Sequence, residues 1–252
     1  MKILFKNNVT NTYPCVLHFA DRHSHRQNGW STGCKKTYKV VKLLSQKPAR
    51  QYKRLEKKLT IVIAHNYKFV TPVEKTLNSI GFNNIVTVGN NVKKWSNILK
   101  PQLVLDTLDN VTTKFVMFLD AVDVYTIHLD NLVEKFKQTR CKMLFGAERY
   151  NYPLNQHSKD FSWHENLAKK YCLYKHGPQF LNSGQWIART NDAKFYLRDV
   201  VKVKPLQEKP NSDQGVFKVT FKKYYPDINL DFGVKIFQVA STLTSVSVVA
   251  QK

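Results

Sequence analysis

LTIVIAHNYKFVTPVEKTLNSIGFNNIVTV, residues 59–88, decides the fold class. Its first six residues, Leu59–Ala64, form an unbroken apolar run rich in β-branched side chains, the pattern of a strand buried on both faces of a parallel sheet. Residues 70–80 then read as a helix, with Thr71 as N-cap and Pro72 at the first helical position, where its missing N–H is not needed. Gly81 supplies the stop, and Asn84–Val88 reads as a second strand. Further out, residues 96–108 look helical, with Pro101 as a local breaker. Lys114–Leu119 (KFVMFL) is another buried strand and ends directly on Asp120. Residues 129–138 form an amphipathic helix, and Lys142–Ala147 (KMLFGA) is the next strand. Strands alternating with helices in this way predict an α/β domain with an open, mainly parallel sheet. Such sheets hold ligands beyond the carboxyl ends of their strands, which is where Asp120 stands.

The flanking sequence differs. Residues 1–19 contain two strand-like runs, Lys2–Phe5 and Pro14–Phe19. Residues 22–58 hold twelve Lys or Arg against one acid, Glu56, which is half of the chain's net charge of +22. That segment reads either as a solvated linker with a short helix at Lys36–Leu44 or as an arm that contacts nucleic acid. No fold needs so large an excess of one sign, so a polyanionic partner is the natural inference, nucleic acid ahead of anionic lipid. With 42% hydrophobic and 12% aromatic residues in 252, the chain has enough apolar material for one full core and is not a disordered polyelectrolyte. No apolar run is long enough to span a bilayer, and the N-terminus lacks the apolar stretch of a signal peptide. The four cysteines, Cys15, Cys34, Cys141 and Cys172, are far apart and form no CxxC pair. A cytoplasmic protein with reduced thiols is therefore expected, with no membrane partner and with the sequons at Asn8 and Asn110 unused.

The stretch with the most chemistry is FLDAVDVY, residues 118–125. Asp120 and Asp123 follow a buried strand directly and are close enough to share one hard cation. Oxygen ligands suit Mg²⁺ or Mn²⁺, and such an ion neutralises a diphosphate leaving group. The competing reading has Asp120 merely capping a turn.

FLDAVDVY is followed in order by LFGAERYNYP (144–153), FLNSGQWIA (180–188), SDQGVF (212–217) and INLDFGVKIFQ (228–238). Together these motifs resemble the glycosyltransferase domain of the procollagen lysyl hydroxylases and related collagen glycosyltransferases, over roughly residues 59–238. The resemblance implies a single GT-A-type domain with a Rossmann-like, mainly parallel sheet and helices on both faces. It also implies a UDP-sugar donor and a divalent ion, usually Mn²⁺. By position, Asp120 and Asp123 match the family's metal and nucleotide aspartates, and Trp95 matches a tryptophan near the nucleotide, where an exposed ring would stack on uracil. Glu148 and Tyr152 match a pocket-lining acid and aromatic. Asn182, Ser183 and Gly184 match an acceptor-side turn. Asp213 matches the last acid of an acidic run of which this chain keeps one member, and Asp231 matches an acid just before the last strand.

In the family the metal site is completed by a histidine downstream of the IFQ strand, four residues after a proline. No histidine follows residue 176 here. Residues 2–18, KILFKNNVTNTYPCVLH, resemble that missing segment moved to the front, with Pro14 and His18 at the same separation. A circular permutation is thus implied, with His18 as third metal ligand, against the plain reading of a histidine at a strand end. The chain then divides into a permuted metal-site segment (1–19), a basic arm or linker (20–58) and the GT-A core (59–240). After His18 the family's glycine-rich turn is replaced by Phe19, Ala20 and Asp21, so phosphate contacts must come from elsewhere, Lys35 and Lys36 being candidates.

The expected function is metal-dependent transfer of a sugar from a UDP-sugar to a hydroxyl. If the product is inverted, Asp213, then Asp231 or Glu148, takes the acceptor proton. The charge and the absence of an entry signal favour hydroxymethylated bases in DNA, as in a viral or phage DNA-modifying enzyme, held by Lys53, Arg54, Lys57 and Lys58 with help from Lys218, Lys222 and Lys223. Hydroxylysine in a collagen-like protein, or a glycan, is the alternative acceptor. A non-catalytic nucleic-acid-binding module is the alternative of another class.

Overall fold

All six side chains of Leu59–Ala64 are buried, and so are all five of Phe115–Leu119. The apolar runs therefore become central strands. The structure is a computed structural model and describes residues 2–19, 52–171, 177–239 and 246–251. In chain order its elements are β1 (Lys2–Asn7), β2 (Val16–His18), α1 (Lys53–Glu56), β3 (Leu59–Ala64), α2 (Pro72–Ile80), β4 (Ile85–Val88), a 3-10 turn (Asn97–Leu99), α3 (Lys100–Leu108), β5 (Phe115–Leu119), β6 (Val124–Thr126), α4 (Leu132–Gln138), β7 (Met143–Glu148), α5 (Phe161–Tyr171), β8 (Phe180–Arg189), α6 (Thr190–Val200), α7 (Asp213–Tyr224), β9 (Ile228–Leu230), β10 (Phe237–Val239) and β11 (Val246–Gln251). The expected helix at Lys36–Leu44, and most of the basic segment, fall outside the described residues.

The main sheet has six strands in the order β4-β3-β5-β8-β7-β9. β3 pairs parallel with β4 and β5, and β7 pairs parallel with β9, while β8 runs antiparallel between β5 and β7. Five of the six strands thus point one way. One face carries Leu59, Ile61, Met117 and Leu119 against Val73 and Leu77 of α2 and Leu132 and Phe136 of α4. The other carries Val62, Val116 and Phe118 against Val104 of α3, Leu197 of α6 and Phe221 of α7. The alternation of side chains along each strand feeds the two cores separately.

Local chemistry explains the boundaries. Glu74 accepts a hydrogen bond from the Thr71 backbone N–H at 2.6 Å, which closes a capping box at the start of α2, and Gly81 ends that helix with φ +82°. Pro101 does not break the helix expected over 96–108. It occupies the first turn of α3, where proline is tolerated, and the residues before it form the separate 3-10 turn.

Two smaller sheets complete the fold. β2 lies between β10, to which it is parallel, and β6, to which it is antiparallel. β1 and β11 form an antiparallel ribbon in which Lys2 faces Gln251. No helix among the described residues is long and apolar enough to cross a membrane.

Candidate active site

β5 delivers Asp120 to the carboxyl edge of the main sheet, and the chain turns there into β6 with Asp123 just before it. The register of β2 against β6 sets His18 opposite Val124, and the Phe19 N–H donates to the Asp123 carbonyl at 2.8 Å. The N-terminal strand thereby brings an imidazole to the two aspartates. His18 Nε2 lies 3.3 Å from Asp123 Oδ2, and one ligand atom from each of His18, Asp120 and Asp123 lies within 4.8 Å of the others. Burial lowers the His18 pKa, but Asp123 outweighs it and holds the imidazole above its usual value. Burial likewise raises Asp123, and His18 outweighs it and holds that carboxyl below the usual range.

β8 supplies the facing wall. Its pairing with β7 jumps from Phe145↔Trp186 to Gly146↔Asn182, a bulge that leaves residues 183–185 without partners in β7 while Gln185 stays in register with Leu119 of β5. Asn182, Ser183 and Gly184 therefore belong to a bulged strand and not to a turn. The Gly184 carbonyl accepts from the Asp120 N–H at 2.8 Å. A Cβ on Gly184 would stand 2.5 Å from His18 Cε1 and 2.6 Å from Asp120 Oδ2, so a larger residue there would displace the His18 and Asp120 side chains.

These groups line a cleft of about 670 Å³ together with Lys100, Glu148, Tyr150, Tyr152, Asp213 and Gln214. Lys100 opens α3 and is buried, with Nζ 2.6 Å from Asp120 Oδ1 and 3.6 Å from Asp213 Oδ2. Burial opposes its charge, but the aspartates prevail and push its pKa up. Nothing in the motif pattern singled out Lys100. It stands twenty residues before its partner, and the proline beside it suggested a break. Asp213 is the first residue of α7 and is buried, which raises its pKa even with Lys100 nearby. Glu148 ends β7. It accepts from Gln214 Nε2 at 2.5 Å and from Asn182 Nδ2 at 3.2 Å, and burial raises its pKa. Gln214, also missed, accepts from the Ser183 N–H and donates to the Tyr152 carbonyl, so it ties α7 to both walls. Tyr150 and Tyr152 stand exposed at the mouth.

Other candidates are placed elsewhere. Asp231 does not face the cleft. Its carboxylate accepts from the N–H groups of Lys235, Ile236 and Phe237 at 2.7–2.9 Å, so it pins the turn before β10 and is not free to act as a base. Trp95 is half-buried against the second core, with Nε1 donating to Asn97 Oδ1, and is not an exposed platform. Lys218 is fully buried and is not a surface cation. Lys222 and Lys223 pair with Asp160 and Asp199 at the far end of α7. Lys53 and Arg54 in α1, with Lys57 and Lys58 after it, stand at the amino end of β3, across the sheet from the cleft. Lys53, Arg54 and Lys58 border a groove there that also contains Asp130 and Glu134. Lys35 and Lys36 lie outside the described residues.

Comparison with known proteins agrees with the motif resemblance. A stretch of the procollagen-lysine,2-oxoglutarate 5-dioxygenase of Drosophila melanogaster is 30% identical over 134 residues, 51% of this chain and 16% of that protein. Its Gallus gallus counterpart, procollagen-lysine,2-oxoglutarate 5-dioxygenase 1, is 28% identical over 128 residues, 49% of this chain and again 16% of the relative. The match thus spans about a sixth of these relatives' length. Among solved structures, a glycosyltransferase involved in glycosylation of the major capsid of PBCV-1 is similar with a TM-score of 0.42 and 14% identity, covering 72% of this chain and 80% of that one. The bifunctional IspDF of Campylobacter jejuni is similar with a TM-score of 0.38 and 12% identity, covering 69% and 49%. The profile of the PLOD GT domain matches residues 51–251, which include every cleft-lining residue named above except His18, and the chain belongs to that glycosyltransferase domain family.

Proposed function

We propose that the protein transfers a hexosyl group from a uridine diphosphate sugar to a hydroxyl, with Mn²⁺ or Mg²⁺ held by His18, Asp120 and Asp123. The observation that carries this reading is the convergence of three ligand atoms within 4.8 Å at the carboxyl edge of the sheet, in a cleft that also contains a buried lysine. Two carboxylates and an imidazole are a donor set that suits such a cation. The cradle also has the marks of a place meant to be filled. His18 Nδ1 and Asp213 Oδ2 are buried without a hydrogen-bond partner, and Gly184 leaves the space beside the ligands open. When bound, the cation supplies positive charge to offset the negative charge that gathers on departing diphosphate.

This chain's own residues account for the rest. Lys100 presents an ammonium at the N-terminus of α3, beside the aspartates, where it binds the same phosphates. Asp213 holds its proton more readily than an exposed aspartate, which suits it to accept one from the attacking hydroxyl in an inverting transfer. In a retaining transfer no such base is needed. Glu148, fixed by Asn182 and Gln214, offers a carboxylate to sugar hydroxyls, and the Tyr150 and Tyr152 rings border the entrance.

For the acceptor, the net charge of +22 favours a hydroxymethylated base in DNA. The described rim of the cleft adds little to that preference, because it is richer in acids than in lysines and the α1 cations are across the sheet. The relatives' names make a lysine-derived hydroxyl in protein the competing acceptor. We infer a reducing, cytoplasmic setting from the wide spacing of the four cysteines, of which Cys15 and Cys141 are buried free thiols.

Incubating the protein with radiolabelled UDP-glucose, UDP-galactose and UDP-N-acetylglucosamine, with Mn²⁺ or EDTA, tests the reading. Metal-dependent release of UDP is expected with one donor. Label passing to hydroxymethylated but not plain DNA supports the DNA acceptor, and label passing to a hydroxylysine peptide in its place overturns it. No turnover of any donor overturns the transferase reading and leaves a nucleic-acid-binding module.

A further inference from the structure

Lys218 has no exposed surface and plays no part in the chemistry above. It lies four residues after Gln214 on α7, so the two side chains leave the helix on the same face. While Gln214 holds Glu148, Lys218 Nζ donates to Asn151 Oδ1 at 3.0 Å and sits 5.5 Å from the centre of the Phe180 ring. Asn151 passes the link on, with its amide donating to Glu165 Oε1 on α5 at 3.2 Å. Asn151 also separates Tyr150 from Tyr152, the two exposed rings at the mouth of the cleft. An apolar side chain of similar length would fill the space beside Phe180 without burying a charge, so packing does not account for a lysine there.

We propose that Lys218 is a positioning residue for the Glu148 end of the cleft: it fixes Asn151, and through it the Tyr150–Tyr152 rim, and gives the Glu148 carboxylate a positive neighbour that solvent does not screen. This rests on the transferase reading of the cleft, in which Glu148 meets the sugar. Among the described residues, Asn151 from the loop after β7 and Phe180 from β8 contact the ammonium, and Glu148 of β7 and Glu165 of α5 act on it through their charge. His164 of α5 contacts the Lys218 carbonyl through Nε2 at 3.2 Å and is itself held uncharged by burial. Lys222, one turn further on, is turned to Asp160. Burial brings the Lys218 pKa down to about 7, against the pull of Glu148 and then Glu165. Glu148 has its positive neighbour below that pH and loses it above.

The test combines a lysine-specific NMR titration with hydrolysis of UDP-glucose to glucose and UDP in saturating Mn²⁺, in which water takes the glucosyl group and no added acceptor is needed. In the wild type one lysine signal should titrate near neutrality. It should vanish in Lys218→Met and titrate at lower pH in Glu148→Gln, where the carboxylate that raises it is gone. Lys218→Met should lower kcat about tenfold with the KM for UDP-glucose unchanged to within about twofold, and should remove the decline in rate above neutral pH. The double variant Lys218→Met/Glu148→Gln should be no slower than Glu148→Gln alone, because the lysine acts through that carboxylate. A folded Lys218→Met protein with wild-type kcat and pH profile overturns the proposal. So does a wild type in which every lysine titrates with the exposed ones, and this result stands even if Lys218→Met does not fold. If the wild type turns over no UDP-sugar, the transferase reading falls, while the titration still decides whether Lys218 and Glu148 are coupled.

Discussion

The two ends of the cleft are built on opposite principles. At the His18 end, charged groups crowd together with buried polar atoms left over: His18 Nδ1 and Asp213 Oδ2 have no hydrogen-bond partner. At the Glu148 end, both carboxylate oxygens accept hydrogen bonds, and Asn182 and Gln214 cross-link three elements around them. Under the proposed function the first end is where the cation and diphosphate belong, and the hydrogen-bonded end is what holds the walls in register. Substitutions should accordingly abolish chemistry at the first end and loosen geometry at the second.

The largest expected effect is from Asp123→Asn, which under the proposed function removes a ligand charge where leaving-group charge develops. Metal-stimulated UDP-glucose hydrolysis should fall by ~10²–10³-fold with little change in Tm. His18→Ala should follow, with the Mn²⁺ concentration for half-maximal turnover rising by at least about tenfold, because the third ligand is lost while both carboxylates stay. An unchanged metal response would detach the N-terminal strand from the site. Gly184→Ala comes next: the new methyl meets His18 and Asp120 and should cost about 1–3 kcal/mol in urea unfolding, together with most of the metal response.

Asp231→Asn draws the same contrast outside the cleft. It should destabilise the fold by about 1.5–3 kcal/mol by weakening the three backbone hydrogen bonds, yet leave kcat per folded molecule intact. A large loss of kcat at unchanged stability would return Asp231 to the chemistry. A pH effect of similar size belongs to His164, whose pKa burial brings down to about 3. The unfolded chain takes up that proton near pH 6.5 and the folded one does not, so stability should fall as pH drops from about 6.5 towards 3, and His164→Gln should flatten that part of the Tm profile. The smallest effect should come from neutralising Lys53, Arg54, Lys57 and Lys58 together. Donor hydrolysis should not change, since these residues stand across the sheet, and any effect should appear only in the apparent KM for DNA.

Much of the main sheet was legible because its strands are apolar runs and its first helix carries proper start and stop residues, Thr71-Pro72 and Gly81. The antiparallel β8 was not. FLNSGQWIA holds a polar stretch, Asn182–Gln185, inside a strand, and its pairing depends on a bulge set by Gly146 from elsewhere in the chain. In the site, the aspartates were legible from their place after β5, whereas Lys100 and Gln214 owe their roles to tertiary neighbours that no local spacing reports. Lys218 is a different case. Counted with Lys222 and Lys223 it looks like part of a basic face, yet it falls four residues after Gln214 and three before Phe221, on the inward phase of the helix.

The position of β2 bears on the order in which the fold can complete itself. Among the described residues the strand that carries His18 has its neighbours in β6 and β10, and Asn7, ahead of that strand, reaches Gln238 across 231 residues of sequence. Contacts of that span form late, after local helices and adjacent strands have already reduced the loop to be closed. His18 is therefore among the last residues of the cluster to be seated, and a chain lacking β10 would carry Asp120 and Asp123 without the strand framework that presents the imidazole.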